Sequence, residues 1–334
     1  MTPVISVSAG PAFSRILSVR SYRPARVVTN EEICQRIDST DEWIRERSGI
    51  VERRWAAPDE SVVDMAYAAA TAALDRSGLD RSDIGMIMVA NISHPYPVPS
   101  VSALLTGRLG TDKAAAIDIA AACAGFCYGI GMADSIIRSG AARYILIVGV
   151  EKLTDWTDPT DRSTAFIFAD GAGAVVLGPS ESPAIGPVVW GADGEQSDAI
   201  AMSTSLVDHH RDPEVPFPTI VMQGQRVFRW AVGEMARTAQ QALDAAGITA
   251  ADLDAFIPHQ ANMRITDAIV RTIGLPAHVP VARDIETTGN TSAASIPIAM
   301  DRMLSSGAIR SGGLALIIGF GAGLTYAAQV VRLP

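Results

Sequence analysis

Residues 73–84 read ALDRSGLDRSDI and residues 242–253 read ALDAAGITAADL, so one pattern occurs twice along the chain. Leu74 and Leu243 are equivalent in the two copies, which gives an offset of 243 − 74 = 169. Each copy predicts a helix that ends at a glycine, the residue that most often closes a helix. An apolar segment of strand length follows each copy. The repeat therefore predicts two related halves in which helices and strands alternate.

A second repeat supports this division. The tripeptide SGA occurs at 139–141 and again at 306–308, which gives an offset of 306 − 139 = 167. Both copies are predicted to close a helix and to precede an apolar strand, 144–148 or 314–318. Strands that consist almost wholly of Val, Ile and Leu are buried on both faces, so we expect helices to cover the sheets.

Glycine segments follow both of these strands. The tripeptide GAG occurs at 171–173 and at 321–323, and we pair the two as equivalents that each lead into a further strand. The boundary between the halves is predicted in the proline-containing stretch at 180–186. The predicted halves are residues 1–182 and residues 183–334.

The duplication predicts a site at the centre of the molecule. The offset of the SGA repeat makes Cys123 equivalent to Asn290, because 123 + 167 = 290. Both residues lie where a segment of small residues, AAACAG at 120–125 or GNTSAA at 289–294, begins a predicted helix. A two-fold arrangement would bring the two side chains together on helix N-termini, and active sites are often built at such junctions.

Length and composition limit the classes of protein. The chain has 334 residues, is 48% hydrophobic and carries a formal net charge of −9 without a long run of one sign. This balance is typical of a soluble globular protein and argues against a general nucleic-acid binder. We expect no secretory signal and no membrane span. The three cysteines, Cys34, Cys123 and Cys127, indicate reduced thiols in a cytoplasm and no metal site.

Three residues have the chemistry of a catalytic site. Cys123 is flanked by Ala and Gly at a helix N-terminus, where the helix dipole is expected to favour the thiolate of a nucleophile. His259 follows a predicted strand end, and Asn290 lies in a turn. Each also has an ordinary structural reading, as a buried apolar cysteine, a structural histidine or a helix cap, and we assign Cys127 to the first of these.

The motifs taken together resemble the β-ketoacyl-acyl-carrier-protein synthase III family, in particular its actinobacterial members. The resemblance runs from about residue 13 to residue 333. It rests on DSTDEWI at 38–44, AACAGF at 121–126, DR at 161–162, DGAGA at 170–174, PHQAN at 258–262 and GNTSAAS at 289–295. It implies the thiolase fold, an α/β fold of two duplicated halves layered αβαβα.

The resemblance also implies a reaction. Cys123 would take an acyl group from acyl-coenzyme A, and malonyl-acyl-carrier-protein would then lose CO₂ and attack the acyl-cysteine. His259 and Asn290 would donate hydrogen bonds to the enolate oxygen. The backbone N–H groups of Cys123 and Ala322 would form a second oxyanion hole. The family usually has glycine at the second position, and alanine serves unless φ must be positive.

Binding residues are implied by the same motifs. The proposed coenzyme A contacts are Trp43, Arg47, Arg162 and Asn262; the carrier-protein contacts are Gln260, Arg264, Arg229 and Arg271; and the acyl pocket includes Val98 and Phe228. Val98 occupies a position where some relatives insert a Phe into the partner subunit's acyl pocket, so a smaller residue implies room for branched or longer primers.

The family further implies a cytoplasmic homodimer that acts with an acyl carrier protein and acyl-CoA, without a permanently bound cofactor, a membrane or a nucleic acid. The expected activity initiates fatty-acid synthesis. Two alternatives stay open: priming or acyl transfer in a polyketide pathway, and a non-enzymatic partner subunit. The presence of Cys123 argues against the partner subunit, and Asn290 argues against a pure acyltransferase.

Overall fold

The computed structural model describes residue 5 and residues 8–111 and 113–334. The strands of this part are β1 (Phe13–Tyr22), β2 (Arg26–Thr29), β3 (Glu52–Trp55), β4 (Ile84–Ala90), β5 (Ala115–Ile119), β6 (Tyr144–Lys152), β7 (Asp170–Ser180), β8 (Val189–Ala192), β9 (Ile200–Met202), β10 (Ile220–Met222), β11 (Ala255–Pro258), β12 (Leu314–Gly321) and β13 (Thr325–Arg332).

The helices are shorter at the edges of the molecule and longer against the sheets. They are α1 (Asn30–Cys34), α2 (Asp41–Ser48), α3 (Val62–Ser77), α4 (Val101–Leu109), α5 (Gly125–Ser139), α6 (Leu206–Arg211), α7 (Gly224–Ala246), α8 (Met263–Thr272), α9 (Ile285–Thr288) and α10 (Ser295–Ser305). The predicted helix ends at Gly78 and Gly247 are confirmed, with φ of 71° and 70°. No helix of the described residues has the length and hydropathy to cross a membrane.

Two main sheets repeat one topology, which confirms the predicted duplication. The first has the strand order β1-β7-β6-β4-β5, and the second has β8-β13-β12-β11. The first sheet has two parallel pairs, β4 with β5 and β4 with β6, and the second has one, β11 with β12. In each sheet the next pair, β6 with β7 or β12 with β13, is antiparallel. In the second sheet, a single bridge between Phe256 and Val281 takes the place that β5 occupies in the first.

Five layers result, as the thiolase fold implies. Alternate residues of β6 face opposite ways: Ile145 and Ile147 pack on α5, whereas Leu146 and Val148 pack beneath α3 and α4. α5 and α10 share one hydrophobic core with both sheets and form the central layer. α7 and α8 cover the outer face of the second sheet.

The predicted equivalence of Cys123 and Asn290 is wrong. α5 and α10 both follow a 3₁₀ turn, Ala122–Ala124 or Ser292–Ala294, and both turns begin at a residue of positive φ. The offset between the turns is 292 − 122 = 170, so Cys123 corresponds to Ala293. α10 has 11 residues whereas α5 has 15, which is why the offset has become smaller at the helix ends.

The paired glycine segments are also not equivalent. Gly171–Gly173 lies inside β7, where a Cβ on Gly173 would be 2.7 Å from the side chain of Pro297. Gly321 instead ends β12, and Ala322 and Gly323 form the turn to β13. The boundary at residues 182/183 remains a prediction, supported by the end of β7 at Ser180 and by a bridge from Ile185 to the second sheet.

Candidate active site

A cavity of about 1130 Å³ lies where the two halves meet, beside the start of α5. Apolar side chains from the β9–β10 segment and from the region around Phe166 form much of its wall. It brings together most of the residues predicted from the sequence: Cys123, His259, Asn290, Ala322, Trp43, Arg47, Arg162, Asn262, Arg264, Arg229 and Phe228.

Three predicted residues lie outside this cavity. Gln260 is 2% exposed, and its amide donates to Pro258 O at 2.7 Å and accepts from Ile285 N at 3.1 Å. This burial contradicts the prediction that Gln260 contacts a carrier protein, because its polar atoms are used inside the fold. Arg271 is exposed on α8. Val98 is 80% exposed in the loop before α4.

Cys123 lies half-buried in the 3₁₀ turn that precedes α5. The first N–H groups of a helix have no acceptor within it, so the Cys123 amide is available to a substrate oxygen. Burial raises the pKa of the Cys123 thiol to about 12, and the negative charge of Glu151 adds to this effect. Burial thus opposes the predicted stabilisation of a thiolate by the helix dipole, whereas the Ser292 hydroxyl and the Cys123 backbone N–H act in its favour.

Gly321 brings the end of β12 against Cys123. A Cβ at Gly321 would lie 2.7 Å from the Cys123 backbone nitrogen and 3.0 Å from its Sγ. The next residue, Ala322, lines the cavity. Its φ is not positive, because the non-glycine residues of positive φ among those described are Ala122 and Ser292. Ala322 thus has a backbone conformation that alanine adopts freely. Its amide and the Cys123 amide border the same cavity.

His259 directly follows β11 and is 2% exposed. Its Nδ1 lies 2.7 Å from the Ser295 Oγ, which already accepts a hydrogen bond from the Gln260 backbone N–H at 3.2 Å. The Ser295 hydroxyl hydrogen is then free to go to Nδ1, which leaves Nε2–H as the donor into the cavity. Burial lowers the pKa of His259 to about 3, so the ring is neutral near pH 7.

Two backbone hydrogen bonds hold Asn290 in place. Its N–H donates to Ile167 O at 3.0 Å, and its C=O accepts from Ala169 N at 2.9 Å. The side-chain Oδ1 accepts from Ser292 N at 2.9 Å, which fixes the amide so that the other end carries the donor. The Asn290 Nδ2 is thus a hydrogen-bond donor on the cavity wall.

An aromatic ring and two guanidinium groups, from Trp43, Arg47 and Arg162, also line the cavity. The Arg162 guanidinium lies 4.6 Å from the centroid of the Trp43 ring, and that of Arg47 lies 5.8 Å away. Trp43 also packs on Phe166 in an edge-to-face arrangement, with ring centroids 5.4 Å apart. A flat aromatic beside guanidinium groups suits a ligand with a planar ring and phosphates.

The N-terminus of α8 lines the cavity next to Arg47. Asn262 caps this helix by accepting from Arg264 N at 2.9 Å and donates to Arg47 O at 2.9 Å, so both ends of its amide are engaged. The Arg264 guanidinium lies 5.0 Å from the centroid of the Phe228 ring. Phe228 and Arg229 both come from α7.

Sequence reasoning missed several residues that contact the predicted ones. Ser295 orients His259, Ser292 lies beside Cys123, and Glu151 is a buried carboxylate close to both. Ser292 and Ser295 fall inside the motif quoted for Asn290. That motif was the sequence signal from which they could have been found. Nothing in the sequence near Glu151 indicates that it faces Cys123.

Comparison with known proteins gives the class. Models of the 3-oxoacyl-[acyl-carrier-protein (ACP)] synthase III family match residues 117–194, and of its C-terminal part residues 243–333. The chain is 56% identical to beta-ketoacyl-[acyl-carrier-protein] synthase III 1 of Streptomyces coelicolor, over 99% of both chains. It is 54% identical to the corresponding synthase III of Streptomyces glaucescens, also over 99% of both.

Solved structures agree with this. A priming beta-ketosynthase from a polyketide biosynthetic pathway superposes with a TM-score of 0.97 at 48% identity, covering 99% of both chains. A 3-oxoacyl-[acyl-carrier-protein] synthase III from Aquifex aeolicus gives 0.88 at 35% identity, covering 96% of this chain and 99% of that one. The fold and the relatives define a thiolase-fold condensing enzyme. Within that class, the chain belongs to the 3-oxoacyl-[acyl-carrier-protein] synthase III family.

Proposed function

We propose that this protein is a β-ketoacyl-acyl-carrier-protein synthase III, which condenses an acyl-CoA primer with malonyl-acyl-carrier-protein. One observation carries the proposal: a thiol, a neutral imidazole and an amide donor, from Cys123, His259 and Asn290, line one cavity. That set supplies a nucleophile and two donors for a developing oxyanion.

In the first half-reaction, Cys123 Sγ attacks the thioester carbonyl of acyl-CoA. A new C–S bond forms, the bond to the coenzyme A sulfur breaks, and coenzyme A leaves as a thiol. The tetrahedral intermediate carries a negative oxygen, for which the N–H groups of Cys123 and Ala322 are the donors at this end of the cavity. Gly321 keeps the space between these groups open, since a side chain there would meet Cys123.

In the second half-reaction, the malonyl group loses CO₂ and its electron pair passes into an enolate. His259 Nε2–H and Asn290 Nδ2–H donate to the enolate oxygen. The carbon then attacks the acyl carbonyl, and the Cys123 sulfur leaves as a thiolate, which takes a proton from water to regenerate the thiol. A neutral imidazole suits this step, because it donates a hydrogen bond to the enolate without giving up its proton.

The acyl-CoA substrate is assigned to the end of the cavity at Trp43. The Trp43 ring is a stacking platform for an adenine, and Arg47 and Arg162 are the phosphate contacts. Asn262 lines the same cavity, and its amide is engaged with Arg47 O and the α8 N-terminus. Its contribution is to fix the shape of the channel.

The acyl carrier protein is assigned to the α7–α8 rim. Arg264 and Arg271 are seven residues apart on α8, which places them on one face of the helix. Asp267, between them, pairs with Arg283 at 2.8 Å, so its charge is neutralised. With Arg229, these exposed residues form a local basic patch on a protein of net charge −9. Such a patch attracts an acidic carrier protein.

A homodimer is the assembly that the exposed residues favour. β5 is at the edge of its sheet, and Ile117 on it is 38% exposed. The loop beside β5 exposes three further large apolar side chains, Ile92, Tyr96 and Val98. Pairing with a second copy would cover this edge and place Val98 near the partner's acyl pocket, beside residues such as Phe228. We propose a cytoplasmic location for this assembly.

Product analysis tests the function. The protein is mixed with acetyl-CoA or isobutyryl-CoA and malonyl-acyl-carrier-protein, and the 3-oxoacyl product is measured. Asn290→Asp keeps the acceptor for Ser292 N but loses the donor, so condensation should fall about 10²- to 10³-fold while acyl-enzyme formation continues. A folded wild-type protein that forms no 3-oxoacyl product with either primer would refute the proposal.

Priming of a polyketide pathway is the second candidate, because a priming ketosynthase has the same fold at 48% identity. The chemistry is identical, so the carrier protein discriminates the two. A kcat/KM at least ~10-fold higher with a polyketide carrier protein than with the fatty-acid carrier protein of the same organism would favour priming. The reverse preference favours initiation of fatty-acid synthesis.

A further inference from the structure

A buried carboxylate lies behind Cys123 and is not used by the mechanism above. Glu151, on β6, is 0% exposed. Its Oε2 accepts hydrogen bonds from Ser93 Oγ at 2.6 Å and from Ile92 N at 3.2 Å. Its Oε1 is buried and has no hydrogen-bond partner among the described residues. One oxygen is therefore fixed, and the other is free to act.

The free oxygen is directed at the catalytic turn. Gly149 and Glu151 are two residues apart on β6 and so face the same side of the sheet. A Cβ at Gly149 would lie 2.4 Å from Ala293 O, so this side of β6 packs directly on the turn Ser292–Ala294. Glu151 thus extends toward Ser292.

Ser292 lies between the carboxylate and the nucleophile. Its hydroxyl is close enough to Cys123 Sγ and to Glu151 to stabilise the charged form of each. In the described residues, the Ser292 Oγ is nevertheless buried without a partner in good hydrogen-bond geometry. The backbone of Ser292 is held at φ 49°, a strained value for a non-glycine residue. Unsatisfied and strained groups of this kind cluster at functional sites.

We propose that the Ser292 hydroxyl relays the proton of the Cys123 thiol to the Glu151 carboxylate during acyl transfer. This inference rests on the proposed function. As Sγ attacks the thioester, its proton passes to Ser292 Oγ, and the Ser292 proton passes to Glu151 Oε1. When the bond to the coenzyme A sulfur breaks, Glu151 Oε1 returns a proton to Ser292 Oγ, and Ser292 donates its own proton to the departing coenzyme A sulfur. No proton is gained or lost overall.

The electrostatics fit this assignment. The free thiol is a weak acid at its buried position, so a base is required to remove its proton. His259 Nδ1 is occupied by the Ser295 hydroxyl, and in the tautomer assigned above Nε2 carries the proton. Burial raises the pKa of Glu151 to about 7, which suits a base that works near neutral pH.

The other charged groups around Glu151 are engaged elsewhere. Lys152 Nζ donates to Ala57 O at 3.1 Å and Pro58 O at 3.3 Å. Asp170, on the neighbouring strand β7, accepts from Ala56 N at 2.8 Å and from Thr154 N at 3.1 Å. The ring of His94 is an exception: it packs on Tyr96, and its Nε2 is buried without a hydrogen-bond partner among the described residues. Glu151 is thus the carboxylate with a free oxygen on this side of Cys123.

The test is the rate of Cys123 acylation against pH, without malonyl-acyl-carrier-protein. Wild-type enzyme is mixed with acetyl-CoA or isobutyryl-CoA, and the acylated Cys123 peptide is quantified by mass spectrometry. The wild-type rate should rise with pH through about 7, as Glu151 ionises, and then level off. Glu151→Gln should lower the rate about 100-fold and abolish the rise at this pH.

Ser292→Gly is the second variant, because glycine adopts the positive φ of Ser292 without strain and lacks only the hydroxyl. It should show the same loss as Glu151→Gln. As a control for folding, the circular dichroism spectrum and the unfolding temperature of both variants are compared with those of the wild type.

The outcomes separate the two proposals. Acylation by both variants within about three-fold of wild type, with the rise near pH 7 retained, would overturn the relay and leave the proposed function intact. A wild-type protein that is never acylated on Cys123 would overturn the function itself. If Glu151→Gln does not fold, the rate and pH profile of Ser292→Gly decide the matter.

Discussion

The tautomer of one histidine determines how the site works at the scale of single residues. Ser295 Oγ is placed by two contacts, from Gln260 N and to His259 Nδ1, and together they leave Nε2–H as the donor. Because burial lowers the pKa of His259 to about 3, the ring keeps this neutral form throughout the pH range in which the enzyme would work. The imidazole therefore acts as a donor and not as the base for Cys123.

Ser295→Ala tests this directly. Without the hydroxyl, the ring loses its fixed orientation and tautomer, so the decarboxylation rate should fall about 10- to 100-fold. Acylation of Cys123 should change by less than about two-fold, because His259 takes no proton in that step. Single-turnover measurements separate the two rates, and Ser295→Thr, which keeps the hydroxyl, should restore decarboxylation. Equal losses in both half-reactions would contradict the assignment.

Trp43→Ala tests the coenzyme A platform. Loss of stacking on one base is worth about 1–3 kcal/mol, so KM for acyl-CoA should rise roughly 5- to 100-fold. The value of kcat should hold, because in the proposed function Trp43 contacts the adenine and not the reacting atoms. Trp190→Phe, on β8 and outside the cavity, is the matched control and should leave KM unchanged. A lowered kcat with an unchanged KM would place coenzyme A elsewhere.

At the scale of elements, the sequence predicted the strands and the helix ends well, because short apolar runs and terminal glycines are local signals. The register between the halves was not predictable from the same signals. Because α10 is shorter than α5, the offset read at the helix ends does not apply at the helix starts, and Cys123 was given the wrong partner. Asn290 was still found, because the family motif around it is independent of the register.

Gly321→Ala tests the contact between β12 and the catalytic turn. The new methyl group would lie 2.7 Å from the Cys123 nitrogen, so the turn must move, and a shift of about 1 Å can cost about 100-fold in rate. We expect at least that loss in acylation of Cys123. Gly233→Ala is the control: it lies on α7 with no neighbour within 4 Å, and alanine there should stabilise the helix by about 0.5–1 kcal/mol. Wild-type acylation by Gly321→Ala would show that the close contact is not required.

At the scale of the whole molecule, buried acids link folding to pH. The pKa of Glu151 is about 7 in the folded protein against an ordinary value of 4.5, so the folded state binds more protons between these values. Stability from this group is full below pH 4.5 and is lost as pH rises through 7. His259 has the opposite effect, since its lowered pKa costs stability as pH falls below 6.5.

Glu151→Gln should therefore gain stability relative to wild type as pH rises. Between pH 5 and pH 8 the difference in unfolding free energy, variant minus wild type, should shift in favour of the variant by up to about 3 kcal/mol. Urea unfolding at fixed protein concentration measures it, with Asp118→Asn on β5 as a more exposed comparison. A difference that does not vary with pH would show that Glu151 is already ionised at pH 5.

Long-range packing explains what the sequence could not show. Gln260 has a polar side chain of the kind that contacts partner proteins. It nevertheless points into the fold, because α9 offers it a backbone N–H. Glu151 and Ser292 are far apart in the sequence and meet only because β6, in the first half, crosses under the turn before α10, in the second. The five layers themselves followed from the family resemblance, since neither repeat on its own indicates how two sheets stack.

The central claim is that Cys123 carries the acyl group that is condensed. The direct measurement is peptide mass spectrometry after mixing the protein with isobutyryl-CoA, before and after addition of malonyl-acyl-carrier-protein. The account predicts an acyl adduct on the peptide that contains Cys123, its disappearance as the 3-oxoacyl product forms, and no adduct in Cys123→Ala. An adduct that persists in Cys123→Ala, or one on Cys123 that malonyl-acyl-carrier-protein never discharges, would contradict it.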